Sequence, residues 1–318
     1  MLFSKVKTRF DLAVLFHVEM QILIFFGLGA LLKKQKITDS HIDEFLSTLI
    51  LNLIMPVNIF LSFYRNVSVA MLQKSFLLVL AGIIVVVLVL ALSRLLPKSM
   101  SLEKRRIAQY SMLISNGSLI GLPLIEGLCG SAGVVYANIF MIPTRILSFS
   151  SGEKYFNTEW KPAGVLTIAK KFFFNPITLA MILGFLFNLA QLALPAGIDA
   201  VFSSLSGCMS PLALLLVGST LLETGSEKEN VSKDIVEISV FRLIIAPLLT
   251  YFVCAALRLS TPQIIAAVLV NATPVASTAT IFCRKYNGNI RYTSRCVFFS
   301  TVLSLFTLVL VSVTMSMG

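Results

Sequence analysis

Ten windows of about 20 mainly apolar residues fill this chain: 11–32, 44–64, 72–93, 106–127, 131–151, 174–194, 198–222, 235–257, 261–282 and 293–316. At about 1.5 Å of rise per residue, each window as a helix matches the hydrocarbon core of a bilayer. Water is excluded as the solvent by the lack of polar covering. Of 318 residues, 57% are hydrophobic and 13% charged, and mean hydropathy is +0.89. A soluble enzyme, a nucleic-acid-binding domain and a disordered regulator are all ruled out on this ground. The net charge of +11 then reads as loop lysines and arginines of a membrane protein, with no nucleic acid as partner.

The expected class is an all-α membrane protein with ten spans. Residues 1–151 and 174–318 carry five spans each, and 152–173 forms a cytoplasmic linker with Trp160 at the interface. The loops after spans 1, 3, 5, 7 and 9 hold 18 lysines and arginines, against 6 on the other side. The positive-inside rule makes the richer side cytoplasmic and leaves both termini outside. Lys5, Lys7 and Arg9 individually favour the opposite placement of the N-terminus. Residues 1–32 make a poor secretory signal, because their apolar stretch is too long. The five cysteines form no CxxC pattern and only His17 and His41 are histidines, so no disulfide framework, metal or cofactor is expected.

Shifting the chain by 155 residues superposes Gly29 on Gly184, Pro56 on Pro211 and Asn116 on Asn271. Three coincidences at one offset point to duplication. An odd number of spans per half forces the halves into opposite orientations. Such inverted repeats are typical of secondary transporters, with the substrate held at the midplane.

Spans four and nine carry the chemistry. Span four contains Asn116-Gly117-Ser118 followed by Gly121 and Pro123; span nine contains Asn271-Ala272-Thr273-Pro274. Proline removes a backbone donor and glycine loosens the turn, so both spans are expected to break near the bilayer centre. Free backbone groups there are tolerated only around a cavity or site. A half-helix N-terminus is partly positive and favours an anion, and Asn116 and Asn271 would add amide donors for a carboxylate. The competing reading is a pair of kinked, tightly packed helices, with Gly117 and Gly121 as a GxxxG contact.

Pro56 and Pro211 are expected to kink spans two and seven, beside Asn52, Asn58, Ser206 and Ser210. They either give packing room or shape the wall of the site. Arg145 reads as a snorkelling side chain or as an anion-pairing or gating residue. Arg242 and Glu237 read as a structural pair or as snorkelling, Glu19 and Glu126 as interfacial or proton-carrying, and His17 as interfacial. No acidic pair lies in the broken spans, which argues against a dedicated sodium–proton antiporter.

The stretch Ser115-Asn116-Gly117-Ser118-Leu119-Ile120-Gly121-Leu122-Pro123-Leu124 resembles the fourth helix of the auxin efflux carrier family, which includes bacterial malate permease-like proteins. Leu51-Asn52-Leu53-Ile54-Met55-Pro56, Asn175-Pro176, Met209-Ser210-Pro211 through Gly218, and Asn271-Ala272-Thr273-Pro274-Val275-Ala276 match in order and spacing. The resemblance runs from about Met20 to the C-terminus. It implies two inverted five-helix repeats with helices 4 and 9 broken and crossing. Spans 1, 2, 6 and 7 would form a scaffold, and the rest a moving transport domain. The substrate would be a small organic anion such as malate, bound around Asn116, Gly117, Ser118, Pro123, Asn271, Thr273 and Pro274. Uptake into a negative-inside cell would need a coupled H+ or Na+. The chain lacks the long hydrophilic loop of the plant carriers and looks like the compact prokaryotic type, in a bacterial cytoplasmic membrane. A homodimer is carried as an expectation. The rivals are a sodium-coupled carrier of bile-acid-type anions, a non-transporting membrane sensor, and a membrane enzyme, for which no reactive constellation is found.

Overall fold

The computed structural model describes residues 12–67, 69–97, 99–162, 164–224 and 232–317. Lys5, Lys7, Arg9, Lys98 and Lys228, five of the charges counted for orientation, lie outside the described residues, as does the side chain of Glu19. All regular elements among the described residues are helical. In chain order they are α1 (Leu12–Lys34), α2 (Ser40–Asn66), α3 (Val69–Ser93), α4 (Leu102–Leu113), α5 (Gly117–Phe140), α6 (Ile142–Ser151), α7 (Val165–Phe173), α8 (Pro176–Leu189), α9 (Ala196–Gly207), α10 (Met209–Thr224), α11 (Lys233–Ala256), α12 (Thr261–Asn271), α13 (Thr278–Lys285) and α14 (Ile290–Met317).

The ten apolar windows do not become ten unbroken rods. By length and composition, six described helical runs can each cross a membrane: α2, Ser75–Ser93, α5, Ala196–Thr220, α11 and Ile290–Met315. The pair α7 and α8, bent by 65°, would make a seventh. Window one is a single helix, α1, of 23 residues, and punctuating residues divide windows four, five and nine. Window four stops at Leu113 and restarts at Gly117, and window nine stops at Asn271 and restarts at Thr278. Windows four and five share α5, inside which Gly130 takes φ 64° and ψ −171°, a conformation a Cβ would penalise. At the start of α8, Asn175 accepts the Ile177 amide at 3.0 Å and Pro176 fixes the first turn.

Three prolines also widen the turn in front of them. The amides of Met55, Leu122 and Ala246 reach back five residues, to the carbonyls of Ile50, Gly117 and Phe241. Each donor stands immediately before a proline: Pro56, Pro123 or Pro247. The ring clashes with the carbonyl four residues back, and one π-type turn relieves it. Pro211 behaves differently, with the break at Cys208, between α9 and α10.

Two helix pairs build one wall of the molecule, α1 against α10 and α2 against α8. Both depend on glycine. A Cβ on Gly29 would overlap the carbonyl oxygen of Leu215, and one on Gly218 the carbonyl of Phe26. A Cβ on Gly184 would likewise meet the carbonyl oxygen of Phe60 at 2.5 Å. Gly29 and Gly184, like Phe60 and Leu215, stand 155 residues apart, so the two contacts repeat one another at the offset found in the sequence. A buried polar clamp ties the α1–α2 turn to α10. Lys33 pairs with Asp43 at 2.7 Å, and Ser219 donates to the other Asp43 oxygen at 2.7 Å. At the start of α2 the Ile42 amide donates to Asp39 and holds that carboxyl below its usual range.

Gly218→Leu is expected to force α1 and α10 apart and to destabilise the fold by about 1–3 kcal/mol, the usual range for overpacking. Gly27, where an added methyl would meet nothing within 4 Å, is the control. Thermal unfolding in detergent, followed by tryptophan fluorescence, should fall for G218L and hold for G27L.

Candidate functional site

The two breaks meet. The chain at Ser115 runs antiparallel to the chain at Val275 as a single β-bridge. The Asn116 amide donates to Pro274 O at 2.8 Å, and the Ala276 amide donates to Ile114 O at 3.1 Å. These bonds join 116 to 274 and 114 to 276 around the facing pair 115 and 275, which stand 160 apart. The sequence offset of 155 pairs Asn116 with Asn271, whereas the local two-fold of this bonding pairs Asn116 with Ala276.

A break inside a membrane leaves helix ends without partners. The C-terminal ends of α4 and α12 point their carbonyls at one side chain, Arg242 of α11. Its Nε donates to Thr273 O at 3.1 Å, Nη1 to Met112 O at 3.1 Å and Nη2 to Asn271 O at 2.7 Å. Nη2 also donates to the Asn271 side-chain oxygen. The guanidinium is fully buried. Its planar fork suits several acceptors at once, and its charge complements the negative ends of two half-helices. The sequence pairing of Arg242 with Glu237 is replaced: Glu237 lies 3.5 Å from Lys233 on an exposed face.

Arg242 also fixes Asn271. The Asn271 amide nitrogen donates to Thr250 Oγ1 at 2.6 Å, so both ends of that amide are engaged inside the bundle. Thr273 is fully buried and its hydroxyl donates to Val270 O at 2.8 Å. Asn116 is held less tightly, with its amide nitrogen 3.3 Å from Ser277 Oγ. Gly117 and Gly121 let α5 press on α12, since a Cβ at Gly117 would meet Val270 Cγ2 at 2.8 Å. Ser118 is half-buried on the first turn of α5.

Asn116, Gly117, Asn271, Thr273 and Pro274 thus converge on one crossing, with Ser118 beside it. Pro123 stands farther along α5 and lines a cavity of about 150 Å3 with Gln21, Glu126 and Ser210. Arg145 stands apart. It is nearly buried, donates to Asn138 Oδ1 at 2.7 Å and approaches Met181 Sδ at 3.6 Å. Pro56 and Pro211 stay on the wall helices α2 and α10, half-buried. Neighbours of these prolines do meet: Asn58 donates to Glu126 Oε1 at 3.0 Å and to Ser206 Oγ at 2.9 Å. Tyr110 of α4 shares a 2.7 Å hydrogen bond with Thr278 of α13 and packs on Tyr155, Phe156 and Phe282.

The chain matches the model of a family described as membrane transport protein over residues 14–160 and 163–312, which takes in both crossing segments. It belongs to the membrane transport protein family. An uncharacterized transporter of Methanothermobacter thermautotrophicus is 26% identical over 297 residues, which cover 92% of this chain and 96% of the relative. This membrane transport protein is a multi-pass carrier of the auxin efflux carrier type and not an enzyme. The polar groups gathered at the crossing are amides, hydroxyls, backbone and the buried Arg242.

Removing the cation should expose its role. Arg242→Met leaves buried carbonyls of α4 and α12 without a donor, at about 1–3 kcal/mol each. Arg242→Lys offers no planar fork and is expected to recover only part of the loss. Asn271→Ala should also lower the unfolding temperature, whereas Asn116→Ala should leave it close to wild type.

Proposed function

We propose that the chain is a secondary transporter of small organic anions such as malate, working by alternating access with a coupled ion. In this reading it has ten spans in two inverted five-span halves, 1–151 and 174–318, joined by 152–173. α1, α2, α8 and α9–α10 form the scaffold, and the crossing belongs to a domain that moves against it. The repeated glycine contacts, Gly29 on Leu215 and Gly184 on Phe60, support the two-fold arrangement. So does the paired bonding of 114 with 276 and 116 with 274.

One observation carries the anion. Four half-helix ends meet at the crossing, and Arg242 occupies the two negative ones through neutral oxygens. The positive ends of α5 and α13 remain, and neither 110–124 nor 267–280 contains an Asp or Glu. The centre therefore carries an excess positive charge, which a carboxylate complements. Asn116, Gly117 and Ser118 would supply the direct donors. Asn271, Thr273 and Pro274 would hold the opposing segment in place through Arg242. Pro123 would set the angle of α5, and Pro56, Pro211 and Arg145 would serve the wall and gating. The compartment in this reading is a bacterial cytoplasmic membrane with both termini outside. The coupled ion is H+ or Na+, and a homodimer is compatible with the wall helices.

The test is uptake of radiolabelled malate into proteoliposomes under an imposed pH or sodium gradient. Wild type should accumulate malate, with competition by other carboxylates. Asn116→Ala should lose about tenfold to a hundredfold, the range for a lost hydrogen bond to a charged group, at unchanged thermal stability. Wild-type uptake by N116A would refute the assignment of Asn116.

A further inference from the structure

Glu126 occupies an unusual place. It lies nine residues into α5, about 13 Å from the break by helical rise. Its carboxylate accepts from Asn58 Nδ2 at 3.0 and 3.2 Å. Asn58 is on α2 and donates as well to Ser206 of α9. Asn58 is buried to 1% exposure, and its own amide oxygen is buried with no hydrogen-bond partner. Glu126 also lines the 150 Å3 cavity between α1, α5 and α10, where its neighbours include Val18, Ile22, Phe25 and Leu214.

The charges around it are few. α1 contributes Gln21 to the cavity, α10 contributes Ser210, and α9 contributes Ser206 through Asn58. Two turns beyond Asn58 on α2, Arg65 pairs with Asp199 of α9 at 2.7 Å. His17 of α1 precedes Val18, is exposed and does not line the cavity. On α5 itself, Cys129 and Tyr136 are the other ionisable side chains, and neither lines it. No described cationic side chain is ion-paired with Glu126.

We propose that Glu126 is the residue that carries the coupled proton. This rests on the transporter reading above and goes beyond it by naming the ion and its site. Glu126 and the anion-binding end of α5 belong to one helix, so they move together. Asn58 and Ser206 belong to the wall. An ionised Glu126 is held to that wall by the Asn58 amide. A proton taken from water on the outer side forms an O–H bond on the carboxylate and removes its charge. The neutral group can then pass the apolar faces of Val18, Ile22, Phe25 and Leu214, which would penalise a charge. On the inner side the O–H bond breaks, the proton leaves to water and the carboxylate returns. The orphan Asn58 oxygen fits this cycle, since an acid O–H is the donor it lacks once the amide turns over. A bound sodium ion would compete for the same carboxylate, so its effect on the labelling described next separates the two ions.

Two readouts test this. The first needs no substrate: label the purified wild type with dicyclohexylcarbodiimide, which reacts with protonated carboxyls in apolar surroundings, and map the adduct by peptide mass spectrometry. Glu126 should be labelled at acid pH and several-fold less at alkaline pH, with sodium having no effect. The second is malate flux. Glu126→Gln should abolish accumulation driven by a pH gradient while keeping malate–malate exchange, and Glu126→Asp should restore part of the driven uptake. Labelling that is absent, indifferent to pH or blocked by sodium would overturn the proposal. So would gradient-driven uptake by E126Q at the wild-type level. If wild type moves malate in neither mode, the substrate assignment fails, and the labelling still decides the role of Glu126.

Discussion

A helix broken in mid-membrane leaves backbone groups that lipid cannot satisfy, and this fold meets that demand with one guanidinium. Arg242 binds carbonyls at the ends of α4 and α12 and the side chain of Asn271. Without it, two negative helix ends would face each other across the crossing. With it, the chain can keep two broken helices side by side, with the positive ends of α5 and α13 left without a counter-charge from Arg242. In the proposed reading, the burial of this one cation among neutral oxygens is what favours an anion at the centre.

The breaks themselves were legible. Asn116-Gly117 and Asn271 through Pro274 mark them in the sequence, because glycine and proline act locally. The glycine contacts of the wall were legible as an offset of 155. The bonding at the crossing was not, since it pairs 116 with 274 and 114 with 276 through backbone groups that no side-chain pattern marks. Arg242 was misread for a related reason. Its partners are backbone carbonyls 29 to 130 residues away, which no spacing rule reveals, while Glu237 offered a nearby charge. The only local sign was a cation inside Val240-Phe241-Arg242-Leu243-Ile244-Ile245, two turns past the start of the helix.

α5 concentrates the consequences. Its first residues face the crossing, and Gly117 and Gly121 press it against α12. Its next turn carries Pro123, and the turn after that carries Glu126 against Asn58. The two glycines remove side chains from the α12 contact, where both are buried against Val270. Asn271, read from sequence as an equal partner of Asn116, is committed to Arg242 and Thr250 instead. The crossing is asymmetric in chemistry, although its backbone is nearly two-fold in hydrogen bonding.

Everything proposed for transport depends on the crossing holding an anion at the positive ends left free by Arg242. Cryo-electron microscopy of the protein in lipid nanodiscs with and without malate tests this most directly. Added density is expected beside Asn116, within hydrogen-bonding reach of the Gly117 and Ser118 amides. Density at Arg145 or in the wall, with an unchanged crossing, would contradict it.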